Sequence, residues 1–235
     1  MYMYRSKLLN TAIKKSNALR YIEIGVKSGN TFQRIKCNQK IGVDPAGACR
    51  KLKFHTLIRW GTRFFKETSD DFFVKHAKEY YSESRPLDVA YVDGLHTYKQ
   101  SLRDVENCLQ WLSPKGIIIL HDCNPATEMA AIAVNAFEER SQKGYKGGPW
   151  NGDVWKTIVH LRSTRKDLNI FVLDIDHGLG VVTRSGDDFS NTKMLSYTPT
   201  QIDNMDYKDL RDNRVELLNL VPEGHIWPFL DEFYS

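Results

Sequence analysis

The sequence predicts an α/β fold: a mostly parallel sheet with helices on both faces and an antiparallel last strand. Three observations predict it. Short apolar runs that close on glycine or aspartate recur along the chain. Segments with helical spacing alternate with them, and parallel strands need such crossovers. The last two apolar runs are joined only by Asp174–Gly178, a link short enough to turn the final strand back on its neighbour.

Each element follows in order. Residues 6–19 carry Leu8, Leu9, Ile13 and Leu19 among polar residues, the spacing of an amphipathic helix. Tyr21–Gly25 is a short apolar run ending in glycine and reads as a strand. Gly29, Asn30 and Thr31 open a helix through residue 36. Ile41–Pro45 reads as a second strand, stopped by Pro45. A third strand is expected near Thr56–Trp60 and a helix over 70–80. Leu87–Val92 is a strand ending at Asp93-Gly94. Leu102, Val105, Leu109 and Leu112 share one face of a helix over 98–112, which Ser113–Gly116 breaks. Gly116–Leu120 is a fully apolar strand, followed by His121-Asp122. A helix over about 126–139, a Gly-rich stretch Lys143–Gly152 and a helix over 153–163 come next. Strands near Asn169–Leu173 and Leu179–Thr183 and an appended helix over 206–220 complete the chain.

The 235 residues suit one domain, with a core at about 20–185, the N-terminal helix 6–19 and a C-terminal helical appendage 186–235. A 41% hydrophobic and 26% charged composition excludes wholesale disorder. The net charge of +4 is small and scattered, which argues against a nucleic-acid partner. No run approaches the roughly 20 apolar residues of a membrane span. The basic start has no apolar segment behind it, so the expected location is cytoplasmic. Cys37, Cys49, Cys108 and Cys123 form no C-x-x-C pair, which argues against a zinc cluster.

Ligands of such sheets sit beyond the carboxyl ends of the strands, so the polar residues there carry the argument. The first strand closes on Glu23-x-Gly25-x-x-x-Gly29. Glycines let the backbone turn tightly and approach a ligand, and a following helix offers N–H groups to an anion. The turn lacks the close glycine pair that fits a pyrophosphate; alone it also fits a purely structural turn. Asp44 closes the second strand, where an acid can accept from ribose hydroxyls. Together the two features fit a nucleoside that carries a carboxylate instead of a diphosphate.

Tyr21–Phe32, Ile41–Pro45, Leu87–His96 and Gly116–Asn124, in this order and at these strand ends, resemble the class I S-adenosylmethionine-dependent methyltransferases. The resemblance covers about residues 20–185 and implies a Rossmann-like sheet. Small-molecule O-methyltransferases of the catechol type and bacterial enzymes that methylate sugars are the most similar patterns. Asp93-Gly94-Leu95-His96-x-Tyr98 and His121-Asp122 look most like the sugar enzymes. Gly152-Asp153-Val154-Trp155-Lys156 and Gly178–Val182 resemble the same bacterial group.

The resemblance implies roles residue by residue. Glu23 and Gly25, with Gly29 in the same turn, would line the methionine portion of S-adenosyl-L-methionine. Thr31 would bind its carboxylate, and Asp44 its ribose. Ser69 and Asp70 stand where adenine would be recognised; they equally fit a helix N-cap followed by a first-turn acid. Asp93 and Asp122 would share Mg²⁺ or Mn²⁺, or serve only as hydrogen-bond partners of cofactor and substrate. The catechol-type pattern has an amide next to the second aspartate. Here Cys123, a poor ligand for a hard cation, takes that place, and Asn124 follows as the remaining amide. His96 stands at the position of the general base, with His121 as its competitor; His55, His76 and His160 read as structural.

Lys143–Trp150 reads as a substrate loop or a solvated linker. Trp150, Trp155 and Tyr145 would stack on a sugar or aromatic ring, or anchor the next helix. Trp227, Phe229 and Phe233 would cover an apolar surface or pair with a second copy of the chain in a homodimer. The implied activity is O-methylation of a hydroxyl on a small molecule or carbohydrate, assisted by a divalent cation. The alternatives are a metal-independent N- or O-methyltransferase on another substrate and a non-catalytic nucleoside-binding module. The D/N-P-P-Y/F motif of amino methylation is missing from the sequence.

Overall fold

The computed structural model describes residues 2–47, 60–134, 139, 141–185 and 193–235. The chain divides into two compact units. The first comprises Met1–Gly94, Arg103–Ile119 and Phe229–Ser235, and the second Leu95–Leu102 and Leu120–Pro228.

The first unit is built on parallel strands. β1 (Arg20–Ile24) pairs in parallel with β2 (Gln39–Val43) and with β4 (Leu87–Val92), and β2 pairs in parallel with β3 (Thr62–Phe65). The strand order is β3-β2-β1-β4-β5, where β5 is Leu112–Leu120. Tyr21 through Ile24 are all buried, as are Val89 through Val92. A strand covered on both faces reads as a continuous apolar run, which is why these strands are visible in the sequence. Helix α1 (Tyr2–Ser16) buries Leu8, Leu9 and Ala12 completely on one helical face. Helices α2 (Ser69–Lys75) and α3 (Ala77–Tyr80) follow β3. Helix α4 (Tyr98–Trp111) begins in the second unit and ends in the first.

Lys40 is an interior charge in β2. Its ammonium donates to the carbonyls of Phe32 (2.8 Å) and Ile35 (3.1 Å) and lies 4.6 Å from the centre of the Phe32 ring. Those partners replace the water it loses, and without them the burial would be costly.

In the second unit, β6 (Leu168–Leu173) pairs antiparallel with β7 (Leu179–Arg184) and in parallel with the two-residue β8 (Leu220–Val221). Helices α5 (Trp155–Thr164), α6 (Pro199–Asn204) and α7 (Tyr207–Leu218) accompany them. From α5, the buried Arg162 guanidinium donates to the carbonyls of Glu216, Leu217 (3.0 Å) and Lys193 (2.8 Å). The C-terminal stretch is thereby tied to the interior of this unit. Helix α8 (Ile226–Phe233) begins here and ends in the first unit, where Phe229 and Phe233 are buried and stacked at 5.5 Å.

Several expectations need correction. After Gly29 the chain makes only a three-residue 3₁₀ turn, Phe32–Arg34, because Ile35 is already extended. Most of the expected third strand lies outside the described residues; the strand seen is β3, beginning at Thr62. Residues 126–134 form bends and turns, with Ala131 N–H bonding back to the Thr127 and Glu128 carbonyls. The rest of that expected helix, except Glu139, lies outside the described residues. Ser113–Gly116 belongs to β5 instead of separating it from the helix. The appended helix 206–220 is α7, flanked by α6 and α8, and the antiparallel β7 is not the last strand, since β8 follows. Among the described residues no helix is long and apolar enough to cross a membrane.

Candidate active site

At the end of β1 the first unit presents the glycine turn. Gly25 has φ +82°, and a Cβ placed there would stand 2.0 Å from the Asp93 carbonyl oxygen. Only glycine lets these two strand ends close together. Gly29, also with positive φ, donates its N–H to the Val26 carbonyl. Glu23 is almost wholly enclosed and accepts from the Tyr21 hydroxyl at 2.6 Å. Burial pushes its carboxyl up to about 8, the nearby Asp93 charge adding to the effect. Thr31 is buried and immediately precedes the 3₁₀ turn, without a side-chain capping bond.

Asp44, buried after β2, accepts from the N–H groups of Lys27 (2.7 Å) and Ala46 (2.8 Å). It therefore shapes the glycine turn as well as closing its own strand. Thr68 caps α2 by accepting from Asp71 N–H, so Ser69 is not the cap. The buried Ser69 hydroxyl donates to Asp104 at 2.5 Å, and Asp70 pairs with Arg103 at 3.2 Å. Asp93 accepts from the buried Arg5 guanidinium (3.3 Å) and from the Tyr91 hydroxyl (3.0 Å) on one oxygen. Arg5 and Tyr91 escaped the sequence reading. Neither is distinguishable from an ordinary helix or strand residue before the fold is known.

The second unit gathers the histidines. His96 Nδ1 lies 2.8 Å from the Trp150 carbonyl oxygen and 3.3 Å from Asp122 Oδ2. Its ring stacks on the Trp150 indole, with centroids 5.1 Å apart and planes 21° from parallel. His121 Nδ1 is 2.8 Å from the same Asp122 oxygen, and its Nε2 is 3.7 Å from Asp176. His121 is thus enclosed between two carboxylates at 6% side-chain exposure, while His96 keeps 24%. His96 is therefore the more accessible of the two. Asp122 sits at φ +62°, and Asp176 and His177 also have positive φ. Non-glycine residues held in this region cost about 1–3 kcal/mol each and cluster at functional sites.

Cys123 is fully buried, and burial pushes its thiol well up. Its sulfur bonds to the Leu120 carbonyl and would stand 2.9 Å from a Cβ on Gly180, so it packs against β7. Asn124 donates to Asp174 at 2.9 Å, and its carbonyl oxygen accepts from Arg214. The amide expected to complete a cation shell is therefore engaged by a guanidinium. Trp155 is a core anchor at 1% exposure, whereas Trp150 packs on His96.

Residues 22–123 match a family described as a methyltransferase domain. No curated protein matches the sequence. Among solved structures, the chain is similar to the S-adenosylhomocysteine-bound methyltransferase PaMTH1 of Podospora anserina, at 13% identity and TM-score 0.55. That alignment covers 77% of this chain and 78% of that one. It is also similar to the O-methyltransferase TomG of Streptomyces achromogenes, in complex with S-adenosylmethionine and involved in tomaymycin synthesis. Identity there is 11% and TM-score 0.53, over 77% of this chain and 80% of that one. The fold of these structures is that of the class I methyltransferases, and the family match covers residues 22–123, less than half of the chain.

Proposed function

We propose that the protein is an O-methyltransferase that moves the methyl group of S-adenosyl-L-methionine to a hydroxyl of a small molecule or sugar. The observation that carries the oxygen acceptor is the setting of His96. Its Nδ1 faces a carbonyl and a carboxylate oxygen, which only accept hydrogen bonds in their ordinary state. Nδ1 therefore holds the proton, and in the neutral ring the lone pair is on Nε2. An imidazole so arranged is ready to take a proton from a hydroxyl.

The cofactor is read onto the first unit. The backbone at Gly25 and Gly29, with Glu23 and Thr31, would receive its methionine portion, and Asp44 its ribose. Ser69 and Asp70 would stand near its adenine. In the reaction a bond forms between the acceptor oxygen and the methyl carbon while the carbon–sulfur bond breaks. Bound S-adenosylmethionine would supply the methyl group and depart as neutral S-adenosylhomocysteine, and His96 would take the hydroxyl proton. Holding oxygen and carbon in line is worth several kcal/mol of barrier on the scale of about 7–11 kcal/mol for well-oriented reactants.

A divalent cation is compatible with the acidic donors. Asp122 and Asp93, the latter three residues ahead of His96 in sequence, would hold it through oxygen. The bonds of Asn124 to Arg214 and Asp174 argue against that amide as a ligand. Such an ion would supply a lowered hydroxyl pKa.

Titration calorimetry with S-adenosylmethionine and with NAD tests the cofactor, and binding of NAD alone overturns the reading. Release of S-adenosylhomocysteine with phenols and free sugars as acceptors tests the reaction. His96→Ala should lower turnover by about 10²–10⁴-fold with cofactor affinity unchanged; an unaltered rate removes His96 as the base.

A further inference from the structure

We infer that Trp150 and Gly152 are positioning residues that lock His96 into one tautomer and one ring orientation. The inference deepens the proposed role of His96 and rests on that reading. All the groups concerned belong to the second unit.

Three residues of one short segment, Trp150, Gly152 and Asp153, engage His96 and Tyr98. The Trp150 carbonyl takes the Nδ1 proton at 2.8 Å, and the Trp150 indole lies against the imidazole face. A ring held on its face and at one nitrogen cannot flip without losing both contacts. Gly152 has φ +61°, and a Cβ there would stand 1.8 Å from the His96 carbonyl oxygen. No side chain fits, so the two backbones meet directly. The Asp153 carboxylate accepts from Tyr98 N–H at 2.7 Å and caps the start of α4.

The segment is itself anchored from behind. The N–H groups of Asn151 and Gly152 both donate to the Ala130 carbonyl, at 2.8 and 3.0 Å. The Trp150 indole N–H donates to the Ile132 carbonyl at 2.8 Å, and the Asn151 amide to the His177 carbonyl at 3.2 Å. The orientation of His96 is thus imposed from two loops distant in sequence. A Cβ added at Gly144, Gly147 or Gly148 would meet nothing within 4 Å, so the tight packing begins only at Trp150.

Long-range ¹H–¹⁵N correlation of the histidine ring nitrogens, at alkaline pH where imidazoles are neutral, reads the tautomer directly and needs no acceptor. The His96 signals are assigned by their loss in His96→Gln. The wild-type chain should show a protonated Nδ1 and an unprotonated Nε2. Trp150→Phe keeps the carbonyl and a stacking ring and should keep that pattern, whereas Trp150→Ala and Gly152→Ala should average the two nitrogens. A wild-type proton on Nε2, averaged wild-type nitrogens, or an unchanged pattern in both disruptive variants overturns the inference. If Gly152→Ala does not fold, the wild-type spectrum and the two Trp150 variants still decide it. Failure of the base reading looks different: His96→Ala would then retain full methyl transfer whatever the tautomer.

Discussion

Replacing Glu23 with Gln should change how stability depends on pH. Burial, the main cause, lifts the Glu23 carboxyl from its ordinary 4.5 to about 8, while Tyr21, Lys40 and Arg5 pull it down. In the unfolded chain the group titrates near the ordinary value. Between the two, the folded protein holds a proton that the unfolded chain has lost. This contribution is complete below about pH 4.5, falls as pH rises, and levels off above about pH 8. At ~1.4 kcal/mol per pH unit the interval sets a ceiling of about 5 kcal/mol. Gln imitates the protonated carboxyl and still offers an oxygen to the Tyr21 hydroxyl. Any cost of placing its amide N–H groups shifts the whole profile without tilting it. Urea unfolding from about pH 5 to 9 should show the wild type losing several kcal/mol relative to Glu23→Gln. Parallel profiles for the two proteins would refute the assignment of a buried, protonated Glu23.

Asp44→Asn should weaken S-adenosylmethionine binding by about ten- to a hundredfold, since hydrogen bonds to charged groups contribute about 1.5–3 kcal/mol; calorimetric affinity equal to wild type would remove Asp44 from the ribose site. Gly25→Ala should cost about 2–4 kcal/mol of stability, from the left-handed backbone and the clash with Asp93, read as a lowered urea midpoint. Arg214→Ala should cost about 1.5–3 kcal/mol by releasing the Asn124 and Pro125 oxygens. A midpoint equal to wild type would show that water serves those oxygens as well.

What the sequence disclosed, and what it hid, follows from the range of the forces involved. Burial on both faces writes Tyr21–Ile24 and Leu87–Val92 as apolar runs, and the tight turn requires Gly25 to lack a side chain. Those signals are local. The relation of Trp150 to His96 spans 54 positions and is made by a backbone carbonyl, which no residue type encodes. Gly152-Asp153 stood out as a motif, yet its contact with His96 and Tyr98 exists only in three dimensions. β8 has two residues, too few to establish a period. Of the helix expected over 126–139, residues 126–134 form turns instead. The Thr127 hydroxyl accepts from Ala130 N–H, as a helix N-cap would, yet only a single turn follows, and no residue type in the stretch signals that stop.

The pairing of Leu220 and Val221 with Val172 and Leu173 bears on how the chain can be shortened. A chain ended before Lys193 would strip β6 of this partner and leave the donors and acceptors of that strand exposed. Arg162 would at the same time lose the three carbonyls that neutralise its burial. Bare strand margins recruit other chains, so a chain trimmed of its C-terminal stretch should aggregate more readily than the full one.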